Sequence, residues 1–177
     1  MHHKIAFCPE DRKIQGIIGD LSVRENIIIG LQAKKGMWNH IPLKEQEQIA
    51  DEYIKLLQIK VSSPEQLIRN LSGGNQQKAI IAREIDKDPK LLVAVQPTRG
   101  LDVGAIEYIH RQIVAERDKG TAVLLVSLEL DEVMNLSDRI LVMYEGEVVG
   151  EFDPKTTTVQ ELGLYMAGAR KQGKESK

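Results

Sequence analysis

Two short, uninterrupted apolar runs constrain the fold of this chain more than any other feature. Leu91–Val95 and Ala122–Val126 lack the polar alternation of a half-exposed strand. Runs of this length and composition are typical of strands buried on both faces of a parallel sheet. The segment 103–117 between them has apolar residues at helical spacing. This strand–helix–strand order predicts an α/β fold with a parallel sheet.

The segment before these strands is predominantly helical. Ser22 is followed three residues later by Glu25, the spacing of a capping box, and this pair begins an apolar helix. An amphipathic helix is predicted over 43–57 and a second over 75–85, because their apolar residues recur on one face. The segment 62–65, with its Ser-Ser-Pro-Glu sequence, is predicted to begin a further helix.

From these patterns we predict a single partial domain over residues 1–170. Its α/β core receives a helical subdomain over about 15–88, and residues 171–177 are expected to be a disordered tail. A hairpin is predicted around Glu145-Gly146, and a final helix over 159–169.

Composition excludes several classes of function. The formal net charge is −2, so there is no electrostatic basis for nucleic-acid binding. Cys8 is the single cysteine, which fits a reducing compartment, and it is predicted to be a small buried side chain at the end of a strand. No apolar run approaches the roughly 20 residues of a membrane span, so any work at a membrane would require partners. No metal site is predicted.

Ser72-Gly73-Gly74 directly precedes the predicted helix over 75–85. The first N–H groups of a helix have no intrahelical acceptor and favour negative charge. Two glycines would let a phosphate approach the backbone closely, and the serine hydroxyl adds a donor. An ordinary helix cap explains the same three residues, so this motif alone leaves both interpretations open.

A second motif follows the first long apolar run. The signature Leu71-Ser72-Gly73-Gly74-Asn75-Gln76-Gln77-Lys78 and the run Gln96-Pro97-Thr98-Arg99-Gly100-Leu101-Asp102-Val103-Gly104-Ala105 together resemble the ABC ATPases. More narrowly, they resemble the ATP-binding subunits of bacterial sugar and nucleoside importers. Pro9-Glu10-Asp11-Arg12 and Ser137-Asp138-Arg139-Ile140 extend the resemblance over nearly the whole chain. It implies an ABC-type, P-loop NTPase-like sheet with an inserted helical subdomain.

The resemblance also implies roles for individual residues. In this family two ATPase domains pair head to tail, and ATP held by one is covered by the signature of the other. The residues that would face the partner's ATP are Ser72, Gly73, Gly74, Asn75 and Gln76. Asp102 matches the loop that crosses the dimer interface, and Glu10 matches the loop that couples to the membrane subunit. ATP would be shared with the partner domain, whose site would hold Mg²⁺.

The sequence departs from the family at the positions that serve its own nucleotide. The phosphate-binding loop, of the form G-x-x-x-x-G-K-[ST], is absent, and the resemblance places it before Ile5. Val95 and Gln96 stand where the family has Asp-Glu, and Leu128 stands at the switch-histidine position. Valine cannot help to hold a cation, and glutamine is a far poorer proton acceptor than a carboxylate. We therefore expect this chain alone to be inactive as an ATPase.

The expected partners are a second ABC ATPase domain, membrane permease subunits and, indirectly, a solute-binding protein. The expected location is the cytoplasmic face of the cell membrane. One alternative is a non-catalytic interaction or regulatory module that keeps the ABC shape. Another is an ABC ATPase of translation or DNA repair, which the importer-like motifs and the lack of a basic surface disfavour.

Overall fold

The computed structural model describes residues 4–35 and 41–172, and the chain divides into two compact units, Met1–Val126 and Ser127–Lys177. The elements of the first unit are β1 (Ile5–Cys8), α1 (Val23–Lys35), α2 (Leu43–Leu56), α3 (Gly73–Ile85), β2 (Leu91–Val95), α4 (Val103–Asp118) and β3 (Ala122–Val126). Those of the second are α5 (Leu130–Leu136), β4 (Ile140–Tyr144), β5 (Glu147–Phe152) and α6 (Val159–Met166). The predicted domain bounds, 1–170 with a subdomain over about 15–88, remain a prediction.

A parallel sheet organises the first unit. Its strand order is β1-β2-β3, and the register aligns Phe7 with Val93 and Val93 with Leu124. The predicted α/β class and parallel sheet are confirmed. Because β2 pairs on both sides, the loop that follows it emerges from the middle of the described sheet at its carboxyl edge.

One face of this sheet is covered by helices. Cys8 and Leu92 point to that face and are each 1% exposed. They share a core with Ile80 from α3 and Ile109 from α4, which lie against the sheet. Burial raises the pKa of the Cys8 thiol to about 12, so the thiolate does not form at neutral pH. Cys8 is therefore the inert buried side chain that the sequence predicts.

The capping box at the start of α1 is confirmed. The Ser22 N–H donates to Glu25 Oε2 at 2.7 Å, and the Glu25 N–H donates to Ser22 Oγ at 3.1 Å. The hydrogen bonds from Ser22 lower the pKa of the Glu25 carboxyl, so the glutamate stays ionised beside the positive end of the helix. These contacts satisfy N–H groups that the helix itself cannot pair.

The predicted helix start at 62–65 is wrong. This segment forms a turn that leads into an isolated bridge between Ser22 and Leu67 and a 3-10 turn at Ile68–Asn70. The physical reason is long-range pairing: Arg24 N–H donates to the Pro64 carbonyl at 2.9 Å, which a regular helix would use internally.

The charged segment after β1 forms a regular turn. Asp11 accepts hydrogen bonds from the Lys13 and Ile14 N–H groups, both at 3.0 Å. It thereby caps a π-helical turn over Arg12–Gly16. This turn places Arg12 within hydrogen-bond distance of the Arg99 carbonyl.

The second unit contains the predicted hairpin. β4 and β5 pair antiparallel around Glu145 and Gly146, whose φ angles of 48° and 81° suit a tight hairpin turn. α6 packs on the hairpin, where Phe152 and Tyr165 meet edge to face at 4.8 Å. Gln172 N–H donates to the Val149 carbonyl of β5 at 2.8 Å. Residues 36–40, and residues 173–177 of the predicted tail, lie outside the described residues.

The second face of the parallel sheet is partly open, contrary to the prediction that β3 is buried on both faces. Its side chains include Ile5, Phe7, Leu124 and Val126, which are 52%, 48%, 51% and 46% exposed. We call these four residues the open sheet face. The prediction failed because a continuous apolar run shows that a strand suits a double-sided core, but not that both sides are covered.

We expect the isolated chain to self-associate through the open sheet face, because contiguous exposed apolar surface is unfavourable in water. Leu124→Asp should shift the chain toward monomer, since a buried, unpaired carboxylate opposes association. Size-exclusion chromatography with light scattering measures this shift. Leu56→Asp on α2, where the leucine is 66% exposed, is the matched control and should leave the association unchanged. Equal effects of the two substitutions would show that the chain self-associates through another surface.

Candidate functional site

Ser72, Gly73 and Gly74 form the first turn of α3, and we call them the signature turn. Ser72 is the N-cap, with extended backbone angles of φ −61° and ψ 155°. Its Oγ accepts from the Asn75 backbone N–H at 3.5 Å and from Asn75 Nδ2 at 2.9 Å. The hydroxyl hydrogen of Ser72 is still available to donate, and the side chain is exposed.

The signature turn lies directly against the start of α4. A Cβ placed on Gly74 would come within 2.9 Å of Ala105 Cβ and 3.7 Å of Asp102 Oδ2. Asp102 in turn caps α4, since its Oδ1 accepts from the Ala105 N–H at 2.9 Å. Two helix N-termini therefore meet at this point, and a glycine is required at position 74 for them to do so.

The next two predicted residues differ in what they contact. Asn75 Oδ1 accepts from the Lys60 N–H at 2.9 Å, which joins the signature turn to the loop after α2. Gln76 is only 3% exposed. Its Nε2 donates to the carbonyls of Ile68, Arg69 and Leu71 at 3.1–3.4 Å. Gln76 thus holds the loop before the signature turn, and its predicted contact with the partner's nucleotide stays a prediction.

Glu10, Arg12 and Arg99 form a second group, which we call the arginine cluster. Arg12 Nη1 donates to the Arg99 carbonyl at 2.9 Å, and Arg99 Nη1 forms an ion pair with Glu10 Oε1. Together with Asp11, Lys13 and Gly100, these residues line a surface cavity of about 530 Å³. Glu10 is therefore tied to the loop that leads to Asp102.

Gln96 is the first residue after β2. Its N–H donates to the Val126 carbonyl at 2.7 Å, which extends the pairing of β2 with β3 by one residue. Its φ is 48°, a left-handed conformation that costs a non-glycine residue of the order of 1 kcal/mol. The Gln96 carbonyl accepts from the Arg99 N–H at 3.2 Å, so the turn connects it to the arginine cluster.

Leu128 belongs to the second unit and follows β3 by two residues. Its side chain is 72% exposed. The predicted role as a degenerate switch position stays a prediction.

A lysine on α3 makes a cation–π contact with a tyrosine on α4. Lys78 Nζ lies 4.4 Å from the centroid of the Tyr108 ring and donates to the Gln58 carbonyl at 3.1 Å. Partial burial lowers the pKa of Lys78, while the charge of Asp102 acts in the opposite direction. This cation–π contact is a further link between α3 and α4.

The structure brings together most, but not all, of the predicted residues. The signature turn and Asp102 are in contact, and Glu10 joins them through Arg99. Sequence reasoning missed Arg12, whose guanidinium lies beside the signature turn. An available signal was Asp11, a strong capping residue, because a cap there indicates a structured turn rather than a loose loop.

Two negative findings apply only to residues 4–35 and 41–172. No group of three or more His, Cys, Asp or Glu side chains is arranged to hold a metal ion. No helix in these ranges combines the length and the apolarity that crossing a bilayer would need.

Known proteins share this arrangement of sequence and fold. The family model for the ABC transporter matches residues 1–99. Guanosine import ATP-binding protein NupO of Bacillus subtilis (strain 168) is 48% identical over 167 residues, which cover 93% of this chain and 33% of NupO. Fructose import ATP-binding protein FruK of Bifidobacterium longum (strain NCC 2705) is 42% identical over 160 residues, which cover 90% of this chain and 31% of FruK. The chain thus spans about one third of the length of these curated relatives.

A solved structure shows the same fold. The ATP-binding cassette MJ0796, in a dimeric post-hydrolysis state bound to ADP and Pi, superposes with a TM-score of 0.71 and 26% identity. The match covers 85% of this chain and 63% of that cassette.

We expect Gln76→Leu to lower the free energy of unfolding by about 1–3 kcal/mol, because it removes the amide that donates to three carbonyls of the preceding loop. Urea denaturation of the chain measures this loss. Gln15→Leu is the matched control, since Gln15 is exposed on the π-helical turn, and its effect should be within about 0.5 kcal/mol. A loss no larger than that of the control would contradict the loop-holding role of Gln76.

Proposed function

The chain belongs to the ABC transporter family, and from that membership we propose that it is part of the ATP-binding component of an importer for sugars or nucleosides. In this proposal the signature turn covers ATP held by a second ABC ATPase domain. The observation that carries the proposal is the convergence of two helix N-termini, α3 with Ser72 and α4 with Asp102. The names of the relatives, which include guanosine and fructose importers, support the class of solute.

The signature turn has the chemistry to bind a terminal phosphate. The N–H groups of Gly73 and Gly74 belong to a first helical turn, where backbone donors lack intrahelical acceptors. The exposed Ser72 hydroxyl adds a donor, and the helix dipole favours a negative charge. Because neither glycine has a side chain, a phosphate can approach both donors at hydrogen-bond distance.

The carboxyl end of β2 lacks the groups that would serve a nucleotide bound to this chain itself. Val95 and Gln96 provide no carboxylate there, so these residues do not fit a bound Mg²⁺. Gln96 can orient a water molecule but cannot accept its proton as a carboxylate would. We propose that Mg²⁺ and the catalytic base belong to the partner's site, and that this chain contributes the covering surface.

The remaining partners follow from the same proposal. Import requires membrane permease subunits, and we place Glu10 at the surface that contacts them, because its side chain is 47% exposed beside the cavity of the arginine cluster. A solute-binding protein would act through the permease. The corresponding location is the cytoplasmic face of the membrane.

Ser72→Arg in the assembled transporter should lower ATP turnover and solute uptake by about 100-fold or more. The arginine side chain would fill the space in front of the signature turn and prevent closure over the partner's phosphate. Turnover by phosphate release and uptake of a radiolabelled nucleoside or sugar measure this effect.

Ser63→Arg is the matched control, because Ser63 is also an exposed serine in a turn and caps a backbone N–H at 3.2 Å. It should leave both rates within about twofold. Unchanged turnover in Ser72→Arg would mean that the signature turn covers no nucleotide. The chain would then act as a non-catalytic module, an alternative that the apolar Val95 and Leu128 also favour.

The isolated chain should not bind Mg-ATP with a Kd below about 1 mM, because its sequence contains no G-x-x-x-x-G-K-[ST] loop for the β- and γ-phosphates. Isothermal titration calorimetry of the isolated chain measures this directly. Lysozyme at the same concentration, which has no nucleotide site, provides the baseline heat. Saturable binding in the micromolar range would show that another part of this chain holds the nucleotide.

A further inference from the structure

We propose that Arg12 is a positioning residue that fixes the signature turn against the loop carrying Arg99 and Asp102. The inference rests on the proposed function, because it assigns a means of control to the same signature turn. It adds a residue from the π-helical turn near the chain's start to a site otherwise built from α3 and α4.

The first observation is the packing of Arg12 on Gly73. A Cβ placed on Gly73 would lie 2.7 Å from Arg12 Nη2, 3.1 Å from Cζ and 3.2 Å from Nε. All three distances involve the planar guanidinium rather than the flexible stem. The guanidinium therefore occupies the space into which any other side chain at position 73 would extend.

The second observation is that the same guanidinium is anchored on its other side. Nη1 donates to the Arg99 carbonyl at 2.9 Å, and Gly100, with a φ of 67°, allows the loop to turn there. A Cβ on Gly100 would lie 3.9 Å from Nη2. One rigid, planar group thus spans the gap between the signature turn and the loop that leads to Asp102.

The contact of Arg12 with Gly73 is energetically unfavourable in two respects. Arg12 Nε is buried and makes no hydrogen bond to the residues the structure describes. A positive charge beside a helix N-terminus is also unfavourable by itself, since the helix dipole is positive there. Such unfavourable energies persist in proteins where the geometry serves a function. An anionic group in front of the signature turn would make the position of the arginine charge favourable.

The arginine cluster also connects this contact to the protein surface. The ion pair between Arg99 and Glu10 lies on the cavity wall, and Arg99 supplies the carbonyl that anchors Arg12. A displacement of Glu10 would therefore reach Gly73 through three contacts, Glu10–Arg99, Arg99–Arg12 and Arg12–Gly73. This chain of contacts offers a physical route from the exposed cavity to the signature turn.

The test uses the assembled transporter carrying Arg12→Ala, with Mg-ATP as the probe. We expect kcat for ATP hydrolysis to fall by roughly 3- to 30-fold. The affinity of the open, partner-held site for a fluorescent ATP analogue should stay within about twofold, because Arg12 acts on closure and not on the first binding step. Arg117→Ala on α4, which removes an arginine paired with Asp118, is the matched control and should change neither quantity.

Two further variants separate positioning from charge and from folding. Arg12→Lys keeps the charge but loses the planar group, so it should remain slow, and full rescue by lysine would overturn the proposal. Arg12→Gln removes the charge and is too short to replace Nη1 at the Arg99 carbonyl, so it should remain slow while the thermal midpoint shows that the protein still folds. A loss of kcat that merely follows a loss of stability across the variants would also overturn the proposal.

A double-mutant cycle measures the coupling between positions 12 and 73 most directly. Gly73→Ala introduces a Cβ against the guanidinium, so part of its effect on kcat should disappear when Arg12 is already alanine. Strictly multiplicative effects would mean that Arg12 does not act through Gly73.

Ser72→Arg in the same assembly separates the two proposals. If it abolishes turnover while Arg12→Ala does not change turnover, only the inference about Arg12 fails. If Ser72→Arg has no effect, the proposed function itself fails.

Discussion

The parallel pairing of β2 with a strand on each side determines where the candidate residues meet. A helix that precedes a parallel strand runs back against it, and so does the helix that follows. The N-termini of α3 and α4 therefore lie at the carboxyl edge of β2, as the contact of Gly74 with Ala105 demonstrates. Ligands of open α/β sheets bind outside this edge, so the topology gathers backbone donors where a phosphate would be placed.

The two glycines at this edge pack against two different parts of the chain. Gly74 lets α3 approach α4, because a Cβ there would come within 2.9 Å of Ala105. Gly73 leaves room for the Arg12 guanidinium, because a Cβ there would come within 2.7 Å of Nη2. A pair of glycines that could be explained by access for a ligand alone thus also has a packing requirement within the chain.

Local signals in the sequence predicted the features that depend on neighbouring residues. The capping pair Ser22 and Glu25, the cap at Ser72 and the hairpin at Glu145 are all set within four residues of chain. The turn at 62–65 could not be predicted in this way, because its Pro64 carbonyl is paired with Arg24 on another element.

The same limit applies to packing over long sequence separations. The contact of Arg12 with Gly73 joins two segments that carry no mutual pattern, such as a shared periodicity or matched charge. The half-exposure of Leu124 depends on what covers the sheet, and an apolar run is equally apolar whether or not it is covered. The composition of a strand therefore indicates the environment in which it would be stable, but its solvent exposure depends on which other elements pack against it.

Phosphate binding and hydrolytic chemistry at this edge differ in how easily substitutions remove them. Phosphate binding by a helix N-terminus uses backbone N–H groups, so it survives as long as the helix begins with small residues such as Gly73 and Gly74. Cation binding and proton abstraction use single carboxylates, and one substitution removes each. In the proposed function Val95 and Gln96 stand at these two positions. A domain that works in a pair can therefore lose its own hydrolytic residues while the surface that it offers to its partner stays intact. In the proposed function, the packing of α3 on α4 would preserve that surface, since it constrains Gly74 whether or not a nucleotide is hydrolysed on this side.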